Sequence, residues 1–249
     1  MAMAPTPSSA SSGRVAIHGA GRMGQRVAAA AKARGWNVLG LVSRHHPGAL
    51  DDFPWFPGLD ALEGAAGLPD VLIDFSLPAG AVAAARWCAG RGVPLVSGTT
   101  GLDETQQAAL RRSSEHIAVL QSPNFSPGVN ALQALLEQAR DLLPGITAVE
   151  LEDVHHVHKQ DAPSGTALTL AAALAPLEVA IHSRRVGEVV GDHAVTLRLP
   201  GETLTLSHHA EDRNIFALGA VEAAAWLKAQ APGGYTARNW ILGAAARSS

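Results

Sequence analysis

Apolar runs alternate with alanine-rich, helix-forming stretches along the first half of the chain. The apolar runs lie at 15–18, 37–42, 71–75, 92–97 and 117–121, and the alternation holds up to about residue 126. Strands that alternate with helices usually form a parallel sheet with helices on both faces. The pattern therefore predicts an α/β fold with a doubly wound parallel sheet.

The pattern changes after 122–128, where two prolines and a glycine mark a boundary. A helix over 129–143 and a strand over 147–156 come first, and extended segments follow at 179–186, 193–199 and 203–209. Pro200-Gly201-Glu202 joins the last two segments as a hairpin. Strands in this order after a helix predict a second, α+β domain with an open mixed or antiparallel sheet.

The domain boundaries follow from these patterns. A helix over 214–230 has an apolar face and should return to the first domain. We therefore expect a disordered tail at 1–13, a dinucleotide-binding domain formed by 14–126 and 214–249, and a substrate-binding and oligomerisation domain at 127–213. An open sheet commonly buries a face against a partner subunit, so the second domain is expected to mediate oligomerisation.

A glycine-rich turn joins the first strand to the first helix. Gly19, Gly21 and Gly24 have the spacing GxGxxG. In a dinucleotide site the first glycine permits a tight turn, the second lets the backbone approach a pyrophosphate, and the third lets the helix pack on the strand. A turn without a ligand is the alternative, but the placement between strand and helix favours a Rossmann-type nucleotide site.

The end of the second strand bears on the choice of cofactor. An NAD enzyme usually places a carboxylate there for the ribose 2′-hydroxyl, whereas this strand ends in Ser43-Arg44. A guanidinium suits a 2′-phosphate because it carries a fixed charge and a planar fork of donors. The sequence thus favours NADPH over NADH, with an ordinary solvated loop arginine as the alternative.

The composition narrows the class of protein. The 249 residues are 47% hydrophobic and carry a net charge of −3, which indicates a globular protein and argues against a nucleic-acid surface. The single Cys88 can form no intramolecular disulfide, which fits a reducing cytoplasm. The N-terminal tail lacks the features of a signal peptide, and no apolar run is long enough to span a bilayer. We expect a cytoplasmic protein that binds neither nucleic acid nor membrane.

The segment 150–166 concentrates groups that can do chemistry. Three histidines, Lys159 and a helix start lie within twelve residues. If the strand persists to His158, alternation places His156 and His158 on one face and His155 on the other. Ser164 is a natural N-cap, and the first helical amides could bind a carboxylate together with the Thr166 hydroxyl. Lys159 would add a positive charge, and a nearby histidine could deliver a proton.

Three interpretations compete for these histidines. Zinc needs three or four converging ligands, but no cysteine is near and one strand face holds only two histidines, so we predict no metal. A solvated polar loop is the second possibility. An anion-binding acid–base site is the interpretation that we favour, and it predicts a nucleotide-dependent oxidoreductase acting on a small anion.

Several motifs together resemble the 4-hydroxy-tetrahydrodipicolinate reductase family, also called dihydrodipicolinate reductase. The resemblance runs in order from about residue 14 to 230, and its most specific parts are HHVHK at 155–159 and DAPSGT at 161–166. The others are GRMG at 21–24, DFS at 74–76, GTTG at 98–101, NFS at 124–126, RVG at 185–187, GDH at 191–193 and RNIFA at 213–217. The family resemblance implies NAD(P)H-dependent reduction of a cyclic dicarboxylate in lysine and diaminopimelate biosynthesis, by a homotetramer.

The resemblance also implies roles for single residues. It implies that His155 donates the proton, that Lys159 binds substrate and assists protonation, and that His156, Gly165 and Thr166 bind substrate carboxylate. Its implied cofactor-binding residues are the pyrophosphate turn (Gly19, Ala20, Gly21, Arg22, Met23, Gly24), the nicotinamide neighbours (Gly98, Thr99, Thr100) and the cofactor-site edge and hinge (Asn124, Phe125).

This chain departs from the family pattern in a few places. The glycine turn is one residue shorter than usual, Val157 replaces a frequent arginine, and Ser43 replaces a frequent acidic residue. The last change strengthens the expected preference for NADPH. An aspartate-type amino-acid dehydrogenase and a non-catalytic NAD(P)-binding sensor are the alternative functions.

Overall fold

The elements occur in an alternating order through the first unit and in a strand-rich order through the second. The structure, a computed structural model, describes residues 13–48 and 53–245. In chain order the elements are β1 Arg14–His18, α1 Arg22–Ala33, β2 Asn37–Val42, β3 Trp55–Phe56, α2 Leu59–Ala66, β4 Val71–Asp74, α3 Pro78–Ala89, β5 Leu95–Ser97, α4 Glu104–Ser114, β6 Ala118–Gln121, α5 Pro127–Leu142, β7 Ala148–His155, α6 Gly165–Ala173, β8 Val179–Arg185, β9 Asp192–Leu199, β10 Glu202–His209, α7 Asn214–Leu227, β11 Gly233–Tyr235 and α8 Ala237–Ala245.

The first unit is built on a parallel sheet with the strand order β11-β6-β5-β4-β1-β2-β3. Val15, Ala16 and Ile17 of β1 are fully buried, as expected for a central strand covered on both faces. The strand order reverses between β1 and β4. Ligands of such sheets bind at this switch point, beyond the carboxyl ends of the strands.

The second unit is a mixed sheet with the order β10-β9-β7-β8, in which β7 and β8 are parallel and the other pairs antiparallel. Burial alternates along β7, so that Val149, Leu151, Asp153 and His155 share the buried face. A core of α5, α6 and strand residues covers that face, with Leu136, Leu151, Leu170 and Val195 at its centre. The strand period of two thus carries two polar side chains onto an otherwise apolar face.

The compact units divide the chain after Ser122 and after Phe216. The predicted division lay after residues 126 and 213, so Asn124 and Phe125 fall in the second unit instead of the first. The predicted tail at 1–13 lies outside the described residues except for Gly13. Within the described ranges, no helix combines the length and apolar character needed to cross a membrane.

The predicted fold class is confirmed, and several local predictions hold. Asp103 and Gln106 form the expected capping box, and Ser164 caps α6 as expected. β9 and β10 form the expected hairpin around Gly201, whose φ is +82°.

Other local predictions were incomplete. The short strands β3 and β11 and the helices α2 and α8 were not predicted. The strand predicted over 147–156 runs from Ala148 to His155, so it does not persist to His158, and the chain turns so that the Lys159 amide donates to the His156 carbonyl.

Candidate functional site

A cavity of about 570 Å³ lies at the switch point of the first unit. It is lined by the turns that follow three strands: the glycine turn after β1, the segment after β2, and the segment between β4 and α3. The predicted residues Gly19, Ala20, Gly21 and Arg44 all line it. The structure therefore brings the glycine turn and Arg44, the residue expected to bind the 2′-phosphate, into one cavity.

Two glycines of the turn are required by packing. Gly19 has φ of +103°, and a Cβ there would lie 2.4 Å from the Phe75 carbonyl oxygen. A Cβ at Gly24 would lie 1.7 Å from the Gly19 carbonyl oxygen. Gly21 is different, because no atom of residues 13–48 or 53–245 lies within 4 Å of a Cβ built there. It precedes α1 without a side-chain cap, so the open backbone and the helix amides are available to an anion.

Arg44 extends from the end of β2 as an exposed side chain. The neighbouring Ser43 hydroxyl is engaged, because it donates to the His45 carbonyl oxygen at 2.7 Å and accepts from Trp55 Nε1 at 3.0 Å. Within the described ranges the structure gives Arg44 no hydrogen bond or ion pair. Its guanidinium fork is therefore available to a ligand in the cavity.

A buried carboxylate beside the cavity was not predicted as a site residue. Asp74 ends β4 with no exposed surface. Its Oδ1 lies 2.9 Å from His18 Nδ1 and accepts from Ser76 Oγ at 2.6 Å, while Oδ2 accepts from Ser97 Oγ at 2.8 Å and Thr99 Oγ1 at 2.7 Å. Burial would raise the pKa of Asp74, but His18 and these hydroxyls outweigh burial and lower it. An aspartate at the end of an apolar strand was the available signal in the sequence.

Of the three predicted nicotinamide neighbours, Thr99 belongs to this network, and none of the three lines the cavity. The Thr99 hydroxyl donates to Asp74 and accepts from the Ser76 amide at 3.1 Å. A Cβ at Gly98 would lie 2.2 Å from the Phe75 ring, which does line the cavity. Gly98 and Thr99 therefore contact residues that line the cavity without lining it themselves, and Thr100 is exposed.

Asn124 and Phe125 lie in the second unit. Asn124 Nδ2 donates to Thr166 Oγ1 at 3.0 Å, and Asn124 Oδ1 accepts from the Ser126 amide at 2.7 Å. Phe125 is 1% exposed. The structure thus brings Asn124 to the candidate carboxylate-binding turn, whereas its proposed role toward the cofactor stays a prediction.

The histidine segment begins on the buried face of β7 and leaves it after His155. His155 is buried, with Nδ1 3.0 Å from Asp153 Oδ1, although neither atom has a partner in hydrogen-bond geometry among the residues that the structure describes. His156 follows outside the strand and is partly exposed. Lys159 Nζ lies 2.8 Å from Asp161 Oδ1. The predicted strand faces for His156 and His158 therefore do not exist, and their rings lie near each other only through the turn.

Asp153 connects the histidines to the start of α6. Its Oδ2 accepts from the Ser164 amide at 2.9 Å and from Ser183 Oγ at 3.2 Å. Burial would raise the pKa of Asp153, but the Ser164 hydrogen bonds and the charges of His155 and His193 lower it. The carboxylate therefore stays ionised at neutral pH.

His193 of β9 is the other group that sequence reasoning missed. It pairs with Asp153 across the antiparallel register, its Nε2 lies 3.5 Å from Asp153 Oδ1, and its ring centroid is 5.3 Å from that of His155. Burial, together with the charge of His155, lowers the pKa of His193 to about 4. Burial also lowers the pKa of His155, helped by Lys159 and Arg185 and opposed by Asp153. Both imidazoles are therefore neutral at pH 7 in the free protein.

This geometry bears on the prediction that the histidine segment holds no metal. Asp153, His155 and His193 each offer a ligand atom, and these atoms lie within 4.8 Å of one another, which could hold a metal ion. Counting histidines on one strand missed this group because His193 comes from another strand. A guanidinium opposes a cation there, since Arg185 Nη1 lies 3.8 Å from Asp153 Oδ2. The absence of a metal stays a prediction.

Family models match almost all of the chain. A model described as dihydrodipicolinate reductase, N-terminus, matches residues 13–125, and one described as dihydrodipicolinate reductase, C-terminus, matches residues 128–241. A 4-hydroxy-tetrahydrodipicolinate reductase of Xanthomonas euvesicatoria pv. vesicatoria is 46% identical over 235 residues, covering 92% of this chain and 98% of that protein. One of Xylella fastidiosa is 42% identical over 237 residues with the same coverage.

Solved structures share the fold. A dihydrodipicolinate reductase from Paenisporosarcina sp. TG-14 with dipicolinate bound has a TM-score of 0.77 at 24% identity, covering 91% of this chain and 98% of that one. An aspartate dehydrogenase from Thermotoga maritima has a TM-score of 0.50 at 9% identity, covering 86% and 95%. The aspartate dehydrogenase is similar in fold alone, so the likeness to it does not support the alternative activity.

Proposed function

The chain belongs to the dihydrodipicolinate reductase family, and on that premise we propose how its residues reduce 4-hydroxy-tetrahydrodipicolinate to tetrahydrodipicolinate. It is an NAD(P)H-dependent oxidoreductase of lysine and diaminopimelate biosynthesis. The 4-hydroxyl of the substrate leaves as water, which gives an unsaturated ring, and the nicotinamide cofactor, when bound, would supply a hydride to carbon 4 of that ring. The residues of this chain hold the cofactor, bind two carboxylates and add the balancing proton.

Arg44 is proposed to select NADPH. It is the cation of the cavity at the end of β2, and no hydrogen bond or ion pair is described for it within 13–48 and 53–245. A guanidinium binds a phosphate through parallel charge-assisted hydrogen bonds, which a ribose hydroxyl cannot match. NADH is therefore the weaker cofactor.

The main support for the substrate site is that its proposed carboxylate-binding residues already hold a carboxylate of the protein itself. Asp161 pairs with Lys159, whose hydrogen bond is the main cause of the lowered pKa of Asp161, and the Gly165 amide lowers that pKa further. These are the groups assigned to the substrate's carboxylate, with Thr166 in the next position and His156 nearby. A carboxylate of the substrate would displace Asp161 from the same donors, so the segment has the chemistry that a dicarboxylate requires.

His155 is the proposed proton donor. Its Nδ1 lies against Asp153, so Nε2 is the atom left to deliver a proton. The lowered pKa leaves the imidazole neutral at pH 7 in the free protein. A dianionic substrate beside the ring favours the imidazolium and raises the pKa, so the acid is charged when the substrate is bound. Lys159 assists by stabilising the negative charge that hydride addition creates.

The proposed function is tested by following the loss of NADPH absorbance, with the substrate generated by the enzyme that precedes this step in the biosynthetic pathway. We expect substrate-dependent NADPH oxidation that persists after prolonged dialysis against a strong chelator. Oxidation of free aspartate without reduction of the cyclic substrate would favour an amino-acid dehydrogenase. Nucleotide binding without any turnover would favour a sensor, and activity that disappears and returns with zinc would contradict the acid–base assignment.

The assembly and location are further proposals. We propose a cytoplasmic homotetramer formed through the second unit, on the basis of the open sheet. Light scattering of the purified protein tests the tetramer, and a monomer at micromolar concentration would contradict it. Cell fractionation tests the location.

A further inference from the structure

One buried carboxylate connects the proposed acid to the proposed carboxylate-binding turn. Asp153 has no exposed surface, and its two oxygens have different neighbours. Oδ1 lies 3.0 Å from His155 Nδ1 and 3.5 Å from His193 Nε2. Oδ2 accepts from the Ser164 amide and the Ser183 hydroxyl. A shift of this carboxylate would therefore move the imidazole and the start of α6 together.

A glycine faces the Nε2 side of the His155 ring. A Cβ at Gly191 would lie 3.0 Å from His155 Nε2 and 3.4 Å from Cδ2. The ring is thus held between a carboxylate at Nδ1 and a residue without a side chain at Nε2. This arrangement leaves Nε2 the space to face a reacting molecule.

The electrostatic surroundings favour one tautomer. A bare Nδ1 lone pair 3.0 Å from an ionised oxygen would be repelled, whereas an Nδ1–H is attracted to it. The charged or titratable groups that face His155 are Asp153, His193, Arg185, Lys159 and Asp161. Of these, the carboxylate of Asp153 alone combines full burial with contact at Nδ1. Catalytic hydrogen bonds are often poorly aligned before substrate binds, and a rotation of the imidazole would align this one.

We propose that Asp153 is the positioning residue of the proton donor: it keeps the proton of neutral His155 on Nδ1, directs Nε2 outward and ties the ring to the Ser164 helix start. The inference rests on the proposed role of His155 as the acid. Gly191 completes the arrangement by leaving space at Nε2. Asp153 does not touch the substrate or transfer a proton itself.

The direct test uses the wild-type protein and needs no turnover. ¹⁵N NMR of histidine-labelled protein at pH 8 reports the tautomer, with the His155 signals assigned by their loss in His155→Gln. We expect the Nδ1–H tautomer. A predominant Nε2–H tautomer would overturn the proposal. If the wild type oxidises no NADPH with the cyclic substrate, the proposed function fails, while this measurement still decides the role of Asp153.

Kinetics supply the second test. Asp153→Asn removes the charge that raises the pKa of His155, so the descending limb of the kcat/KM pH profile should move to lower pH. We also expect kcat to fall roughly 10- to 100-fold, as for the loss of an outer partner of a working imidazole. Glu152→Gln is the matched control, because it removes a carboxylate from the exposed face of the same strand. Its pH profile should match the wild type.

If Asp153 had a purely structural role, these kinetic measurements would give a different result. If Asp153→Asn keeps the wild-type pH profile and kcat, the proposal is wrong. Should Asp153→Asn fail to fold, Gly191→Ala tests the other side of the ring. Its Cβ would crowd Nε2, so we expect a lower kcat with an unchanged KM for NADPH, and a wild-type kcat would contradict the outward placement of Nε2.

Discussion

Two buried aspartates, one in each unit, both lie beside imidazoles but differ in hydrogen bonding. Asp74 ends β4 and Asp153 lies near the end of β7, and both have no exposed surface. Around Asp74, an imidazole and three hydroxyl donors satisfy both oxygens. Around Asp153, Oδ2 is satisfied, but Oδ1 faces two imidazoles and has no partner in hydrogen-bond geometry within the described part of the chain.

We expect the difference to separate a scaffold that binds the cofactor from a site that transfers a proton. A fully satisfied polar network specifies a single arrangement, and that rigidity suits a turn that must present backbone to a phosphate. An incompletely satisfied buried group is costly and responds to a proton or a ligand. We therefore expect changes near Asp74 to alter stability and cofactor affinity, and changes near Asp153 to alter the chemical step and its pH dependence.

The largest expected effect is on kcat in the second unit. Removal of the proposed acid in His155→Gln should lower kcat by roughly 10² to 10⁴, the range for a positioned general acid. Thr166→Val is the comparison, because a carboxylate contact present before and during reaction should mostly raise KM. Lys159→Ala should do both. Steady-state kinetics at saturating NADPH measure these effects.

The acid assignment has a clear failing result. If His155→Gln keeps a near wild-type kcat and still binds NADPH normally, His155 is not the acid. His156 or a water held by Lys159 then becomes the better candidate for the acid. The expectation that changes near Asp153 alter the chemical step would then lose its basis.

The next effect is on stability in the first unit. Asp74→Ala leaves His18 and three hydroxyls without their buried acceptor, and breaking a buried charged network typically costs about 3–5 kcal/mol. Asp103→Ala is the matched control, since this aspartate is an exposed N-cap worth about 1 kcal/mol. Denaturant unfolding measures both. Equal losses for the two variants would show that the Asp74 network is not a special source of stability.

The sequence predicted those features that depend on neighbours in the chain. The capping box at Asp103, the N-cap at Ser164 and the glycine turn are set by residues three to five apart, and their residue types identify them. The alternation of strands and helices was equally readable, because parallel strands are buried and apolar throughout.

The rest depended on contacts between distant strands. His193 meets Asp153 only through the antiparallel register of β7 and β9, which no local pattern specifies. The same holds for Asp74 and Thr99, which meet across adjacent strands. The alternation of β7 did place Asp153 beside His155, but the prediction extended the strand too far and grouped the exposed histidines instead.

A further effect concerns acid stability of the second unit. The pKa of His193 falls from 6.5 in the unfolded chain to about 4 in the folded protein. As the pH falls, His193 therefore takes up its proton more readily in the unfolded chain than in the folded protein. The free energy of unfolding is highest above pH 6.5 and decreases as the pH falls toward 4. The loss amounts to about 3 kcal/mol over that window. Denaturant unfolding of the wild type between pH 7 and 4 should show it.

The matched variants locate that loss. His193→Gln cannot take up the proton and should flatten the decline, although His155 and His208 also have lowered pKa values and retain part of it. His116→Gln changes an exposed histidine of the first unit and should leave the decline unchanged. A wild-type decline in His193→Gln would assign the acid sensitivity elsewhere.

The smallest expected effect is on cofactor choice. Arg44→Ala removes a charge-assisted contact worth about 1.5–3 kcal/mol, so the affinity for NADPH should fall about tenfold or more while that for NADH is unchanged. Arg34→Ala loses the same charge from an exposed pair with Glu222 and should change neither affinity. Titration of both cofactors measures this. Equal weakening of NADPH and NADH would show that Arg44 does not read the 2′-phosphate. A changed kcat at saturating NADPH would break the division between a binding unit and a chemical unit.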